Sequence, residues 1–286
     1  MAVMIAGCGA EPPDLADDRA VRVVATTTQV ASVVEEIAGD VVRLTTLLAP
    51  GVEPHDFEMT PAAGAELERA DLIVKSGAGL EDWLDDVLET IGDSDRVRDL
   101  SAGIDLRGDD PHYWLSGPNA IRMATNARVA LLALLPNQAD GIEMRAAALV
   151  ARLTAADREI RALMGEIPEG SRVIVTDHDA LAYFLDEYDL VSAGSVFPTL
   201  DVSSEPSAQQ VQALVSAIRE QGARAIFTES AANRELAQAV AAETGIHVAD
   251  DPLYSDSLGP TGSGADTLDG MLLHNARVIH SALLGD

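Results

Sequence analysis

Apolar residues along the chain alternate between short continuous runs and longer stretches with helical spacing. The run at 21–25 is followed by helical periodicity over 29–38, which predicts a strand feeding a helix. Further strands are predicted at 41–48, 71–75, 172–176 and 225–228, and further helices at 61–70, 80–91, 180–187, 207–221, 235–244 and 268–284, with one more beginning near Pro118. This alternation predicts an α/β fold in which crossover helices connect parallel strands.

One stretch breaks the alternation. From 137 to 167, between Pro136 and Pro168, apolar residues keep helical spacing over about thirty residues, far beyond the average helix of roughly 11 to 12. A single backbone helix joining two lobes is therefore predicted. The expected organisation is a lipoprotein signal and leash over 1–20, an N-terminal α/β lobe over 21–136, the linking helix over 137–168 and a C-terminal α/β lobe over 169–286.

The chain is strongly acidic. Its 286 residues include 47 Asp and Glu against 19 Lys and Arg, giving a formal net charge of −28. This charge argues against nucleic acid or an anionic membrane surface as the main partner, and it is typical of a highly soluble surface. No stretch of the sequence approaches the roughly 18 apolar residues of a membrane span.

The single cysteine, Cys8, lies in the segment IAGCG. Small residues before a cysteine resemble the bacterial lipobox, whose cysteine carries lipid that anchors an otherwise soluble protein. Residues 1–7 are too short for a full signal and contain no basic residue, so we expect a truncated lipoprotein signal, with an incidental exposed cysteine as the alternative. Residues 11–19 contain two prolines and have no apolar period, as in a flexible leash.

Four side chains of the types that ligate metals lie near predicted strand ends: His55, His112, His178 and Asp256. Ligands of open α/β sheets collect at the carboxyl ends of the strands. Three imidazoles and a carboxylate suit zinc or another borderline divalent ion, and they would fill four positions without a water. A filled coordination shell favours holding a metal over catalysis with it. The spacing has no HExxH or CxxC signature, so spacing alone does not establish a site.

The segments around these residues are more specific. GVEPHDFEMTP at 51–61, DPHYWL at 110–115, HDALAYF at 178–184 and DSLG at 256–259 resemble, in order, the metal-binding segments of the zinc/manganese-type substrate-binding proteins of bacterial ABC transporters. The resemblance runs from about residue 21 to the C-terminus. It implies two α/β lobes about a long helix, metal ligands at the four residues above, and a membrane permease as partner.

Nearby acids are expected to orient the imidazoles or to lie at the rim of the site. Asp56 follows His55, while Asp177 and Asp179 flank His178, and each could accept a hydrogen bond from the second ring nitrogen. Glu229 follows a predicted strand and is expected at the rim.

The fourth ligand is the least specific of the set. Asp256 is preferred because DSLG matches the final metal-binding segment of the family, but Asp250, Asp251 and Glu229 remain alternatives.

Zinc is the expected cargo and manganese the alternative. The resemblance implies that manganese-binding relatives often carry Glu at the position of His178, and imidazole shifts preference toward zinc. Against zinc, many zinc-binding relatives carry a histidine-rich loop, whereas residues 56–111 contain no histidine.

The resulting hypothesis is an extracytoplasmic, non-enzymatic and monomeric solute-binding protein that delivers a metal ion to an ABC permease. A metal-dependent hydrolase using the same histidines is the alternative from another class, but it would need an open coordination position and a general base. A third reading, compatible with transport, is an adhesin or a receptor for a metallochaperone.

Overall fold

The computed structural model describes residues 20–55, 57–92, 94–197, 205–229 and 234–285. The predicted signal and leash with Cys8, and the side chain of Asp56, lie outside the described residues. Within these ranges, no helix is both long enough and apolar enough to cross a lipid bilayer.

Helices and strands alternate through the described parts of the chain. The strands are β1 (Arg22–Ala25), β2 (Arg43–Thr46), β3 (Leu72–Lys75), β4 (Val97–Asp99), β5 (Val173–Thr176), β6 (Val191–Ser195), β7 (Ala225–Ile226) and β8 (His247–Val248). The α-helices are α1 (Thr28–Ala38), α2 (Pro61–Arg69), α3 (Asp82–Ile91), α4 (Gly117–Leu134), α5 (Ala139–Glu166), α6 (Ala182–Glu187), α7 (Ala208–Gln221), α8 (Arg234–Thr244) and α9 (Leu268–Leu284).

The strands form two parallel sheets of the same topology. The first has the order β2-β1-β3-β4 and the second the order β6-β5-β7-β8. In each sheet the chain leaves its first strand to one side and later crosses to the other, which opens a crevice at the carboxyl ends of the strands. The prediction of an α/β fold with two parallel sheets flanked by helices is confirmed.

Helix α5 follows the first sheet in the chain and precedes the second. Its buried positions include Ile142, Leu149, Leu153 and Ile160, which lie on one face at helical intervals. They belong to one continuous hydrophobic core with residues of α1, α4 and α9 and with Phe227, which follows β7. Helices α5 and α9 therefore carry one shared apolar core from one half of the molecule to the other, while each sheet also packs a smaller cluster of its own against its other helices.

Some predicted boundaries were wrong. The strand predicted at 41–48 is only four residues long and follows a 3-10 turn over Gly39–Val41. A 3-10 turn over Pro136–Gln138 precedes α5, so the long helix begins later than predicted, and α6 begins at Ala182. Strands β4, β6 and β8 were not predicted. All three are edge strands, which are less buried and so lack the apolar runs that mark central strands.

Candidate metal centre

The four predicted ligands converge in the crevice between the two sheets. His55 lies in the loop after β2, and His112 lies after β4, at the start of a 3-10 turn over Tyr113–Leu115. His178 is two residues beyond the end of β5, and Asp256 follows β8. Each side chain thus comes from a segment that leaves the carboxyl end of a strand, where parallel topology gathers loops.

The ligating atoms lie close to one another around the Asp256 carboxylate. The Nε2 atoms of His55 and His112 are 3.4 Å apart. Asp256 Oδ1 lies 3.0 Å from His112 Nε2 and 3.8 Å from His55 Nε2, while Oδ2 lies 3.0 Å from His178 Nε2. Two ligands of a tetrahedral zinc ion, each about 2.0–2.1 Å from the metal, are about 3.3 Å apart. The donor atoms of His55, His112 and Asp256 are therefore close enough together to hold one metal ion, whereas His178 groups with Asp177 and Glu229 and reaches the first set through its 3.0 Å contact with Asp256 Oδ2.

The opposite nitrogens of two of the imidazoles face carboxylates. His112 Nδ1 lies 2.7 Å from Asp110 Oδ1, and His178 Nδ1 lies 3.2 Å from Asp177 Oδ1 and 3.6 Å from Glu229 Oε1. A carboxylate on Nδ1 fixes the tautomer that leaves the Nε2 lone pair free for a metal. His178 Nε2 is buried and has no hydrogen bond of good geometry, and it lies 3.0 Å from Asp256 Oδ2, so it faces the other candidate ligands.

The charges in the site shift the protonation equilibria strongly. Burial disfavours the charged imidazole of His112, but the Asp256 carboxylate and the hydrogen bond with Asp110 raise its pKa to about 9. His178 is also buried, yet Glu229, Asp177 and Asp256 raise its pKa well above its usual range. Burial disfavours the charged carboxylate of Asp256. The charge of His112 and the hydrogen bonds with His112, His178 and His55 outweigh burial and hold the pKa of Asp256 well below its usual range. Without a metal, protons on the histidines offset the negative charge.

Comparison with known proteins places the chain in a family. The model of the family described as Zinc-uptake complex component A periplasmic (ZnuA) matches residues 23–282. The chain belongs to the ZnuA family. Its relatives include the manganese-binding lipoprotein MntA of Bacillus subtilis (strain 168), which is 33% identical over 98% of this chain and 95% of its own length. The iron-binding protein YfeA of Yersinia pestis is 31% identical over 83% of this chain and 78% of its own length.

Solved structures show the same architecture. The periplasmic zinc-binding protein TroA of Treponema pallidum matches with a TM-score of 0.84 and 28% identity, covering 92% of this chain and 99% of that protein. This ZnuA-family chain is therefore a substrate-binding protein of a metal ABC transporter with a two-lobe fold. The family and its relatives are named for metal uptake and for metal-binding or substrate-binding lipoproteins of ABC transporters.

The acids considered for this ZnuA-family site do not all reach it. Asp250 and Asp251 are exposed, and Asp250 lies 3.9 Å from Arg234, so neither is a ligand candidate in this conformation. Asp179 is exposed, whereas Asp177 is buried and faces His178.

Sequence reasoning missed two contacts near the predicted ligands. Asp110 was read as part of the segment around His112, but its role as acceptor for His112 Nδ1 was not predicted. The available signal was an acid two residues before a candidate ligand. Glu53 was also missed: its Oε1 accepts a hydrogen bond from the backbone N–H of His55 at 3.2 Å, and burial raises its pKa.

The segment that carries Asp256 is bonded to the first half of the molecule at the residue just before it. The Ser255 carbonyl accepts hydrogen bonds from Gln29 Nε2 at 2.8 Å and from Trp114 Nε1 at 2.9 Å. Asp256 belongs to the second half in sequence, but its backbone is therefore fixed next to His55 and His112. Of the four candidate ligands, His178 is the one that follows a strand of the second sheet directly.

A cavity of about 390 Å³ opens beside the ligands. Its polar lining includes Glu53, Asp177 and Glu229, and its apolar lining includes Val52 and Leu258. Burial raises the pKa of Glu229 to about 8 despite the attraction of His178. The cavity gives solvent a route to the side of the site formed by His178 and Asp256.

Metal binding to this site is expected to release protons. His112 has a pKa of about 9 without metal and must lose its proton to coordinate through Nε2, so at pH 7.5 each bound zinc ion should displace at least one proton. Affinity should then fall by about tenfold per pH unit for each displaced proton as pH decreases below 9.

The measurement is isothermal titration calorimetry of zinc binding at pH 7.5 in two buffers with different ionisation enthalpies. A heat difference between the buffers gives the number of protons released. Equal observed binding heats in the two buffers would mean that no proton is released and would contradict a protonated metal-free site.

Proposed function

We propose that this chain captures one divalent transition-metal ion, zinc in preference to manganese, between its two halves and delivers it to an ABC permease. The observation that carries the proposal is the convergence of three imidazole Nε2 atoms on one carboxylate, at spacings of 3.0 to 3.8 Å. The ligands would be His55, His112, His178 and Asp256. Asp110, Asp177 and Glu229 would orient or neutralise the histidines from outside the coordination shell.

The donor set supports zinc over manganese. Nitrogen donors bind zinc more tightly than manganese in the general order of divalent-metal affinities, and carboxylates suit manganese better. Three nitrogens and one carboxylate therefore favour zinc. Manganese is the alternative cargo, since relatives such as MntA are named as manganese-binding and availability in the cell also decides occupancy.

Competition between the two metals tests the proposal. The chain from Val21 onward, stripped with chelator, is titrated with zinc against a fluorescent indicator and then challenged with about a tenfold excess of manganese. We expect one equivalent of zinc to bind tightly and to remain bound. Displacement of zinc by manganese would reassign the cargo. If neither metal binds tightly, the site is overturned.

Release would depend on the permease. The continuous core shared by α1, α5 and α9 limits independent motion of the two halves, so thermal opening of the crevice alone is a poor release route. Docking of the permease on both halves would instead shift His178 away from the ion. A metallochaperone is a second candidate partner upstream of capture.

The anchoring and the domain limits complete the proposal. We place the N-terminal lobe at 21–136, the linking helix at 137–168 and the C-terminal lobe at 169–286. Lipidation of Cys8 would hold the chain at the outer face of a membrane, as a monomer next to its permease. The relatives named as lipoproteins support this extracytoplasmic location.

A further inference from the structure

Helix α6 begins four residues after His178 and contacts the first half of the molecule. Tyr183, on its first turn, is buried, and its Oη accepts a hydrogen bond from the Arg107 backbone N–H at 2.8 Å. The same hydroxyl donates to the Asp110 carbonyl at 3.2 Å. The Arg107 guanidinium lies 5.9 Å from the centre of the Tyr183 ring and pairs with Asp186 of the same helix.

The Tyr183 hydroxyl joins both ends of one tight turn. Within that turn the Asp110 backbone N–H donates to the Arg107 carbonyl at 3.1 Å, and the two residues form an isolated antiparallel bridge. Tyr183 adds one bond to each of them. The position of the turn is thus tied to helix α6, which begins four residues after His178.

Asp110, the last residue of this turn, also contacts the candidate metal ligand His112. Asp110 Oδ1 accepts from the His112 backbone N–H at 3.0 Å and lies 2.7 Å from His112 Nδ1. Asp110 Oδ2 is buried without a hydrogen-bond partner, so Oδ1 makes both of these contacts. A small displacement of Asp110 therefore changes the orientation of the His112 ring, which is itself fully buried.

We propose that Tyr183 is a positioning residue that couples His178 to His112 through the turn from Arg107 to Asp110. The inference rests on the proposed function, since both histidines are its metal ligands. With Tyr183 bonded to the turn, His178 from the second half and His112 from the first half keep fixed positions relative to each other. When α6 shifts, the same bonds transmit the shift to Asp110, so both imidazoles leave the ion together.

The test uses Tyr183→Phe, which removes the hydroxyl and keeps the ring. We expect zinc release to a chelator, followed by stopped-flow, to become about tenfold faster, at the lower end of the 10- to 100-fold effects seen when a partner that orients a ligand is lost. The visible absorption bands of the Co²⁺-loaded variant should also change, because they report ligand geometry rather than overall stability.

The matched control is Tyr188→Phe. Tyr188 follows the same helix and also joins the two halves, donating to Asp157 Oδ1 at 3.0 Å and accepting from the Gly117 N–H at 3.2 Å, but it makes no bond to the turn that holds His112. We expect this control to retain the wild-type release rate and Co²⁺ spectrum. Equal effects of the two variants, or a wild-type rate and spectrum in Tyr183→Phe, would overturn the coupling.

A double-mutant cycle separates this inference from the proposed function. Asp110→Asn weakens the direct partner of His112, so adding Tyr183→Phe to it should accelerate release little further, whereas independent effects would multiply. Multiplying effects would contradict the route through Asp110. If the wild-type protein itself fails to bind zinc or Co²⁺, the proposed function fails; if it binds and only the cycle disagrees, the coupling alone is wrong.

Discussion

Replacing His178 with alanine should weaken zinc binding by about 100- to 1,000-fold. A four-ligand zinc site contributes about 10–16 kcal/mol, so an equal share for one ligand of four is roughly 2.5–4 kcal/mol, or about two to three orders of magnitude in affinity. His178 is also the proposed ligand that directly follows a strand of the second sheet, since the backbone beside Asp256 is bonded to Gln29 and Trp114. The variant should therefore lose affinity while keeping its fold. Indicator competition measures the affinity, and circular dichroism checks the fold.

His247→Ala is the matched control for this experiment. His247 is an exposed histidine on the edge strand β8, away from the converging ligands. Its removal should leave zinc affinity unchanged. Wild-type affinity in His178→Ala would show that the metal binds elsewhere, and an equal loss in both variants would indicate a nonspecific histidine effect.

Replacing Glu81 with alanine should lower the free energy of unfolding by at least about 3 kcal/mol. Glu81 is only 2% exposed, and its carboxylate accepts hydrogen bonds from Thr26 Oγ1 at 2.7 Å and from the backbone N–H groups of Ser76 and Gly77 at 2.8 and 2.9 Å. Burial raises the pKa of Glu81. Alanine would leave three buried donors without an acceptor, at about 1–3 kcal/mol each.

Urea unfolding followed by tryptophan fluorescence measures this loss. Glu220→Ala, at an exposed position on α7, is the control and should change stability by less than about 0.5 kcal/mol. A loss below about 1 kcal/mol in Glu81→Ala would mean that water replaces the carboxylate as acceptor. The Ser76 carbonyl also accepts a hydrogen bond from Tyr113, so the loop that Glu81 holds supports the residue next to His112.

The central strands and the candidate ligands were accessible from sequence for different reasons. Strands β1, β3 and β5 are covered on both faces and carry nearly continuous apolar runs, whereas the edge strands β4, β6 and β8 carry polar residues or are very short. The histidines were identified from their neighbours in sequence, because each lies in a distinctive segment. Apolar runs and short sequence segments thus predicted the central strands and the candidate ligands, because the signal for each lies within a short stretch of the chain.

Contacts between distant segments could not be predicted in the same way. The bond from Tyr183 to Asp110 spans 73 positions, and that from Gln29 to Ser255 spans 226. Neither residue pair carries a pattern that indicates its partner, since a tyrosine hydroxyl or an amide can bond to any carbonyl. The DSLG segment favoured Asp256 but left Asp250 and Asp251 as alternatives, and tertiary packing separates them because both of those acids are exposed.

Because one hydrophobic core runs through α1, α5 and α9, the two halves of the molecule are not independent modules. Helix α9, at the end of the chain, packs in the same interior as α1, near its beginning. A recombination event that cut within α5 and exchanged the second half for that of a relative would have to match apolar surfaces of the first half as well. The apolar faces of α1, α5 and α9 thus form one packing unit, and a side chain changed on any of the three helices has to fit the other two.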